Sequence, residues 1–375
     1  MKVVVLSSGI PSKKYPLNGI FAFDQAKALS QAGIEVLFIS IDLRSFRKFR
    51  RWGYSCGERE GVRWLNCSIP IGPFPPILRM VEKRLITYLF RKAFVRGDMP
   101  DIIHAHFGDM GIVANVLKEK YGIPYVVTEH SSTMNKEVLP YNLITRMKKS
   151  YSNAVAVLAV SSLLSKSIKE KTGCNSIVVP NIIDTTVFKL KENSSNKGLR
   201  LVTTALLSKR KRVNLVLEAI NELKSEFKDI HIDIIGDGAE FEALKKYAED
   251  HFDESLYKFW GLLSREDAGM VYEKADCFVL PSSLETFGVV YVEAMSAGLP
   301  VIATRCGGPE DFVDNQNGIL IEVDNYQQLK DAIVYMYHNH QNYKPKDIRN
   351  SVELKFSPST ISNQIISVYK EVLNK

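Results

Sequence analysis

The chain runs one secondary-structure pattern twice. An apolar run, Lys2–Leu6, opens a series of strand-like segments alternating with helix-length stretches: Glu35–Ile41, the run from Asp101, the run from Tyr125, and Val155–Val160. After the polar segment Lys189–Gly198 (KLKENSSNKG) the series restarts at Leu199–Leu207 and continues through Ile230–Ile235. Strands alternating with helices build parallel sheets, so the fold class is α/β. A chain of 375 residues suits two domains. The flexible composition of 189–198 places the boundary there, giving domains 1–188 and 189–357, with a last helix over 358–375.

Ligands of such sheets sit at strand C-termini, and one stretch there is dense in chemistry. Leu280–Asp311 reads LPSSLETFGVVYVEAMSAGLPVIATRCGGPED. Glu285 and Glu293 are separated by seven residues, with Thr286-Phe287-Gly288 between them and the small-residue run Ala294–Gly298 after. Ser282, Ser283 and Thr286 are helix-opening residues, so a helix is expected from near Phe287 to Gly298. If the spacing were helical throughout, the carboxylates would stand about 12 Å apart. That exceeds the roughly 5–9.5 Å that lets two carboxyls flank one glycosidic bond. It suits two carboxylates gripping opposite ends of a long ligand, with a helix N-terminus facing an anion between them. A bare pair of glutamates at this spacing would most often be solvated side chains on an ordinary helix; the flanking run separates this pair from that case.

With that run attached, the stretch resembles the retaining glycosyltransferases of family 4, of the bacterial polysaccharide-biosynthesis type. Their signature is a Glu, seven residues, a second Glu, a small-residue helix end, a short strand and a Gly-Gly turn, here Gly307-Gly308 followed by Glu310. The resemblance implies the GT-B fold, two Rossmann-like domains facing each other across a cleft. It implies that Glu285 contacts the donor sugar, that Glu293 holds the nucleotide ribose, and that amides near Phe287, Gly288 and Val289 meet the diphosphate. It implies further that Gly19, closing the loop after the first strand, lies against that diphosphate. His130, at the end of Tyr125–His130, would reach the donor sugar, and Gly236 would lie near the nucleotide. His104 and His106 are assigned to loop architecture.

The family carries an arginine and a lysine that clamp the diphosphate. Lys211 matches the lysine, but the arginine position falls on Leu206, and Arg210 or Arg212 are the candidates to replace it. Four consecutive cations, Lys209–Arg212, opening a helix would oppose its dipole unless an anion sits nearby. Phe259-Trp260-Gly261 ends a strand close to where the base would lie. No Asp-x-Asp motif stands at a strand end, so the expectation is catalysis without a metal and with no cofactor. The donor would be a nucleoside diphosphate sugar, with UDP or GDP as carrier.

Charge adds an expectation about the acceptor. Residues 1–185 hold 26 Lys+Arg and 14 Asp+Glu, a net +12; the remainder, with 23 and 28, carries −5. Two stretches in the basic half are also aromatic. Residues 44–52 hold five cations and three rings, and 75–96 hold six cations and one acid with Ile77, Met80, Val81, Leu85, Tyr88 and Leu89 at helical spacing. Basic, aromatic and amphipathic together suit an anionic membrane surface, and equally suit a helix whose apolar face meets the core. A lipid-linked saccharide as acceptor follows from the first alternative. The apolar start breaks at Ser7-Ser8-Gly9, so no signal peptide is expected. No apolar run reaches the roughly 18 residues of a membrane span. Five scattered cysteines without a CxxC fit a reducing cytosol. The expected location is cytoplasmic, peripheral at the inner face of the cell membrane. Alternative readings are a sugar-nucleotide epimerase on the same fold, or a nucleotide-sugar-binding protein without catalysis. No nucleic-acid motif accompanies the charge, and no nucleic-acid partner is expected.

Overall fold

A computed structural model describes residues 1–12, 14–44, 52–70, 75–94, 97–191 and 198–374. The chain divides into two compact units, Met1–Ile182 with Pro358–Lys375, and Ile183–Ser357.

The first unit carries β1 (Lys2–Ser7), α1 (Ile20–Gln31), β2 (Glu35–Arg44), β3 (Gly53–Arg59), β4 (Val62–Pro70), α2 (Pro75–Ala93), β5 (Ile102–His106), α3 (Gly108–Tyr121), β6 (Tyr125–Glu129), α4 (Tyr141–Ser152), β7 (Ala156–Ala159), α5 (Ser162–Thr172) and β8 (Ile177–Val178). These strands form one sheet in the order β3-β4-β2-β1-β5-β6-β7-β8. Val3, Val4, Val5 and Leu6 are all buried, as a central parallel strand covered on both faces requires. The order reverses between β1 and β5, so their C-terminal ends open the crevice where such sheets take ligands. One edge was not anticipated from sequence. β3 runs antiparallel to β4, with Arg59 opposite Val62. The two residues between them, Glu60 and Gly61, both have positive φ, as tight hairpin turns favour.

The second unit carries β9 (Leu199–Thr204), α6 (Val213–Leu223), β10 (Ile230–Ile235), α7 (Phe241–His251), β11 (Tyr257–Gly261), α8 (Arg265–Tyr272), β12 (Cys277–Leu280), α9 (Val289–Ser296), β13 (Val301–Thr304), β14 (Gly318–Ile321), α10 (Tyr326–Asn339) and α11 (Pro345–Phe356). The sheet order is β11-β10-β9-β12-β13-β14, every pair parallel. This is the 3-2-1-4-5-6 order of a dinucleotide-binding sheet, and its switch point lies between β9 and β12.

The division falls at 182/183 rather than at 188/189. The reason is Arg349 in α11, whose guanidinium donates to the carbonyls of Phe188 at 2.7 Å and Thr185 at 2.9 Å. Those bonds tie residues 185–188 to the second unit. Residues 192–197 of the polar segment lie outside the described residues. The last helix, α12 (Pro358–Leu373), belongs to the first unit, where Ile361, Ile365 and Tyr369 join Phe23, Leu29 and Phe38 in one core.

Of the two basic, aromatic stretches, residues 45–51 lie outside the described residues. In α2 the apolar residues split. Ile86, Leu89 and Phe90 are buried, whereas Ile77, Met80 and Tyr88 are exposed. The C-terminal half of α2 therefore faces the core, and its first turns present apolar side chains to solvent. No described helix is long and apolar enough to cross a membrane.

Candidate functional site

The candidate residues divide between the two units. In the second, they gather at the C-terminal ends of β9, β10 and β12, around the switch point. The cations arrive differently from the sequence expectation. Lys209–Lys211 form a 3-10 turn, and Arg212, with φ of 53°, caps α6. Lys211 Nζ donates to Glu285 Oε1 at 2.5 Å, and Ser282 Oγ donates to the same oxygen at 2.8 Å. Both charged side chains are nearly enclosed, at 11% and 8% exposure. Arg212 turns to Asp324 instead, while Leu206, expected at the family's arginine position, is exposed. The Arg210 carbonyl accepts from Ser283 N–H at 2.8 Å, which ties the basic turn to the loop carrying Glu285.

Glu285 is not part of the helix. Its backbone pairs with Gly307 in an isolated parallel bridge, with its N–H on the Cys306 carbonyl and its carbonyl accepting from Gly308 N–H. The helix expected over 287–298 is shorter, with Gly288 capping α9 at Val289–Ser296. The 12 Å separation computed for continuous helix therefore does not apply. Phe287 is buried against Phe312 and Phe356, so only its backbone is available to a ligand. The opening amides of α9, at Val289 and Val290, supply the positive end of the helix dipole. Glu293 lies one turn and a half into α9 and meets Arg265 Nε at 2.8 Å. Gly236 follows β10, and its N–H donates to the Gly261 carbonyl. A Cβ there would stand 1.8 Å from the Ala205 carbonyl oxygen, so only glycine permits this approach of two strand ends.

In the first unit, Gly19 caps α1 with φ of 72°, and a Cβ there would lie 2.2 Å from the Gly9 carbonyl oxygen. Two residues on, the Phe21 ring stacks on His130 with centroids 5.7 Å apart. Gly19 and His130 are thus brought to one place. Glu129 organises the loop that carries His130. Its carboxylate accepts from the N–H groups of Gly108, His130 and Ser131 at 2.8–2.9 Å and from the Tyr151 hydroxyl at 2.5 Å. Burial pushes the Glu129 carboxyl up, against the pull of those four bonds.

His104 and His106 lie in β5 itself, fully buried, which corrects their assignment to loop architecture. His104 bonds to the Tyr369 hydroxyl at 2.5 Å and to Thr128 Oγ1 at 2.6 Å, and His106 Nδ1 lies 2.9 Å from His130 Nε2. Burial pushes His104 down to about 3 and His130 down to about 4, and His106 well below its ordinary value. All three imidazoles are neutral near pH 7. Beside them a cavity of about 560 Å³ is lined by Phe107, Gly108, Glu129, Ser131 and Met134, with Arg146 at its wall. Arg146 pairs with Asp109 at 3.0 Å. Glu129, Arg265 and Asp324 were missed from sequence. Only Glu129 gave a signal there, as the acid beside His130 at a strand end.

Comparison with known proteins accords with this geometry. Residues 184–352 match the family described as "Glycosyl transferases group 1" and residues 19–187 match "Glycosyltransferase Family 4". The chain is a family 4 glycosyltransferase. TuaC of Bacillus subtilis, named for teichuronic acid biosynthesis, is 27% identical to this glycosyltransferase over 404 aligned positions, covering 99% of each chain. Sucrose-phosphate synthase from Thermosynechococcus elongatus superposes with a TM-score of 0.78 at 17% identity, covering 100% of this glycosyltransferase and 99% of that chain. Anabaena HepE, solved with UDP and glucose, gives 0.75 at 19% identity over 99% of each. At these identities the structural likeness establishes the GT-B fold with its two Rossmann-like domains, as expected from sequence.

Proposed function

We propose that this glycosyltransferase moves a sugar from a nucleoside diphosphate donor, on UDP or GDP, to a saccharide or lipid-linked acceptor, with retention at the anomeric carbon. The observation that carries the proposal is the buried Lys211–Glu285 pair beside the opening amides of α9. In such a transfer negative charge develops on the departing diphosphate. A fixed ammonium and helix-end amides stabilise that charge without reorganising. Lys211, with three N–H donors, serves Glu285 and a phosphate oxygen together, and so does the work of a divalent cation. Glu285 holds a sugar hydroxyl, and Glu293, steadied by Arg265, holds the ribose. His130 meets a sugar hydroxyl. HepE was solved with UDP and glucose, which supports a nucleotide-sugar donor by analogy.

The acceptor is proposed to be a saccharide carried on lipid in cell-surface polysaccharide synthesis, met at the inner face of the membrane. The exposed Ile77, Met80 and Tyr88 of α2 and the net +12 of residues 1–185 support this reading. So does the polysaccharide named for TuaC.

A thermal-shift panel of UDP-, GDP- and ADP-sugars tests the donor. A ligand at 100 times its Kd adds about 2.7 kcal/mol, and silence across the panel would sink the donor assignment. NMR of the product's anomeric proton tests retention, which an inverted linkage would refute. Co-sedimentation with anionic vesicles should exceed that with neutral ones. It should fall when Arg47, Lys48, Arg50 and Arg51 are replaced together by Ser. Equal binding to both vesicle types removes the membrane and leaves the transferase.

A further inference from the structure

His106 and His130 do not merely lie near each other. Their N···N contact is 2.9 Å, their centroids are 5.2 Å apart, and their planes differ by only 14°. With the nitrogens so much closer than the centroids and the planes nearly parallel, the rings meet edge to edge in one plane. That is the geometry of an in-plane N–H···N hydrogen bond. One nitrogen must donate and the other accept, and two arrangements satisfy this.

The surroundings decide between them. His106 Nε2 is buried and has no hydrogen-bond partner among the described residues. If His130 Nε2–H donated, a neutral His106 would carry its proton on Nε2, leaving a buried N–H with nothing to bond. A buried donor left unpaired is the rarer and costlier defect; a bare lone pair is tolerated better. The far side of His130 agrees. The Asn181 side chain interacts with His130, and His130 Nδ1 and Asn181 Oδ1 are both buried without a hydrogen-bond partner among the described residues. A proton on His130 Nδ1 gives Asn181 Oδ1 a donor. A bare Nδ1 would leave both buried atoms as acceptors without a donor.

We propose that His106 is a positioning residue whose Nδ1–H donates to His130 Nε2, fixing His130 as the Nδ1–H tautomer with both ring nitrogens held inside the unit. The inference rests on the proposed contact of His130 with the donor sugar. Phe21 on one face of His130 and Phe107, 5.1 Å away and tilted, restrict the ring further. With Nε2 bonded to His106 and Nδ1 buried, His106 acts on a ligand of His130 by setting where the ring stands, not by leaving it a free N–H.

The test uses the full-length protein labelled with 15N in its seven histidines. Two-bond 1H–15N spectra distinguish protonated from bare ring nitrogens, and His130→Gln assigns the His130 signals. The expected spectrum shows His130 protonated at Nδ1. Asn places an amide N–H where His106 Nδ1 stood, whereas Leu has the same size and no donor. His106→Asn should keep the tautomer and most of the activity. His106→Leu should lose the single tautomer and about ten- to a hundredfold in kcat/KM, the scale of a misplaced reacting group. A wild-type His130 protonated at Nε2 overturns the proposal, as does equal behaviour of the Asn and Leu variants. If His106→Leu does not fold, the wild-type spectrum alone decides. If no nucleotide sugar is turned over, the transfer reading fails while the spectrum still judges the tautomer.

Discussion

Removing Lys211 should unsettle the second unit before it is ever asked to bind a ligand. Lys211 and Glu285 are about nine-tenths enclosed and 2.5 Å apart. At an effective dielectric of about 20 their attraction is roughly 7 kcal/mol, most of it offset by the desolvation of the two charges. The pair as a whole therefore contributes little net stability. Lys211→Ala breaks that balance, because Glu285 stays buried with Ser282 as its one remaining side-chain bond. Stranding one member of a buried pair costs about 3–5 kcal/mol, and the partial exposure places this case near 3. For a unit of this size each kcal/mol shifts Tm by about 2–4 °C, so the second unit's transition should fall by roughly 6–12 °C. Lys211→Ala with Glu285→Gln should recover most of that loss, since an amide keeps the Ser282 bond and needs no cation. Calorimetry on the four proteins gives the coupling directly. Additive losses, or a Tm drop of a degree or two for Lys211→Ala, would refute the buried-pair argument. The two proteins carrying Lys211→Ala should lose affinity for UDP far more than for uridine; equal losses would remove Lys211 from the phosphate.

Glu285→Gln should lower kcat strongly with little change in donor KM, whereas Glu293→Ala should mainly raise KM, because a ribose contact is made equally in ground and transition states. Steady-state kinetics on the two variants separate them, and small equal effects would sink both roles. Acid should destabilise the first unit. His104 and His130 are held at about 3 and about 4, below the unfolded value of about 6.5. Between those limits the unfolded chain binds more protons, so stability falls as pH drops. Each such histidine removes about 2 kcal/mol between pH 7 and pH 5. Glu129, its carboxyl pushed up by burial, acts in the opposite sense. Denaturant unfolding at the two pH values should show the loss, reduced in His104→Phe; a flat profile would contradict the neutral cluster.

How much of this was legible beforehand differs by residue. The two sheets were readable because buried parallel strands, such as Val3–Leu6 and Ile230–Ile235, announce themselves as unbroken apolar runs. The β3–β4 hairpin was not, because Glu58, Arg59 and Glu60 are exposed edge residues without such a signal. Glu285 and Lys211 stood out by motif and prove to be bonded to each other. Arg265 and Asp324 did not, since their partners are 28 and 112 positions away in sequence and depend on the fold alone. His106 was misjudged because a strand-end histidine looks the same in sequence whether its ring serves the core or a neighbouring ring. The helix over 287–298 came out too long at its start. Gly288 opens it with a left-handed φ of 93°, and hydroxyls nearby suggested an earlier cap.

The return of α12 to the first unit has a consequence for how the protein is made. Phe23, Leu29 and Phe38 leave the ribosome early, but the helix supplying Ile361, Ile365 and Tyr369 emerges only after the whole second unit has been synthesised. Between residue 182 and residue 373 lie 191 positions, roughly 10–40 s of translation at about 5–20 residues per second. Throughout that interval the groove beneath α12 is an open apolar surface on a nascent chain, and His104 lacks the hydroxyl of Tyr369. The part of the chain begun first is therefore the part finished last, and a chaperone that shields this groove until synthesis ends would find its substrate there.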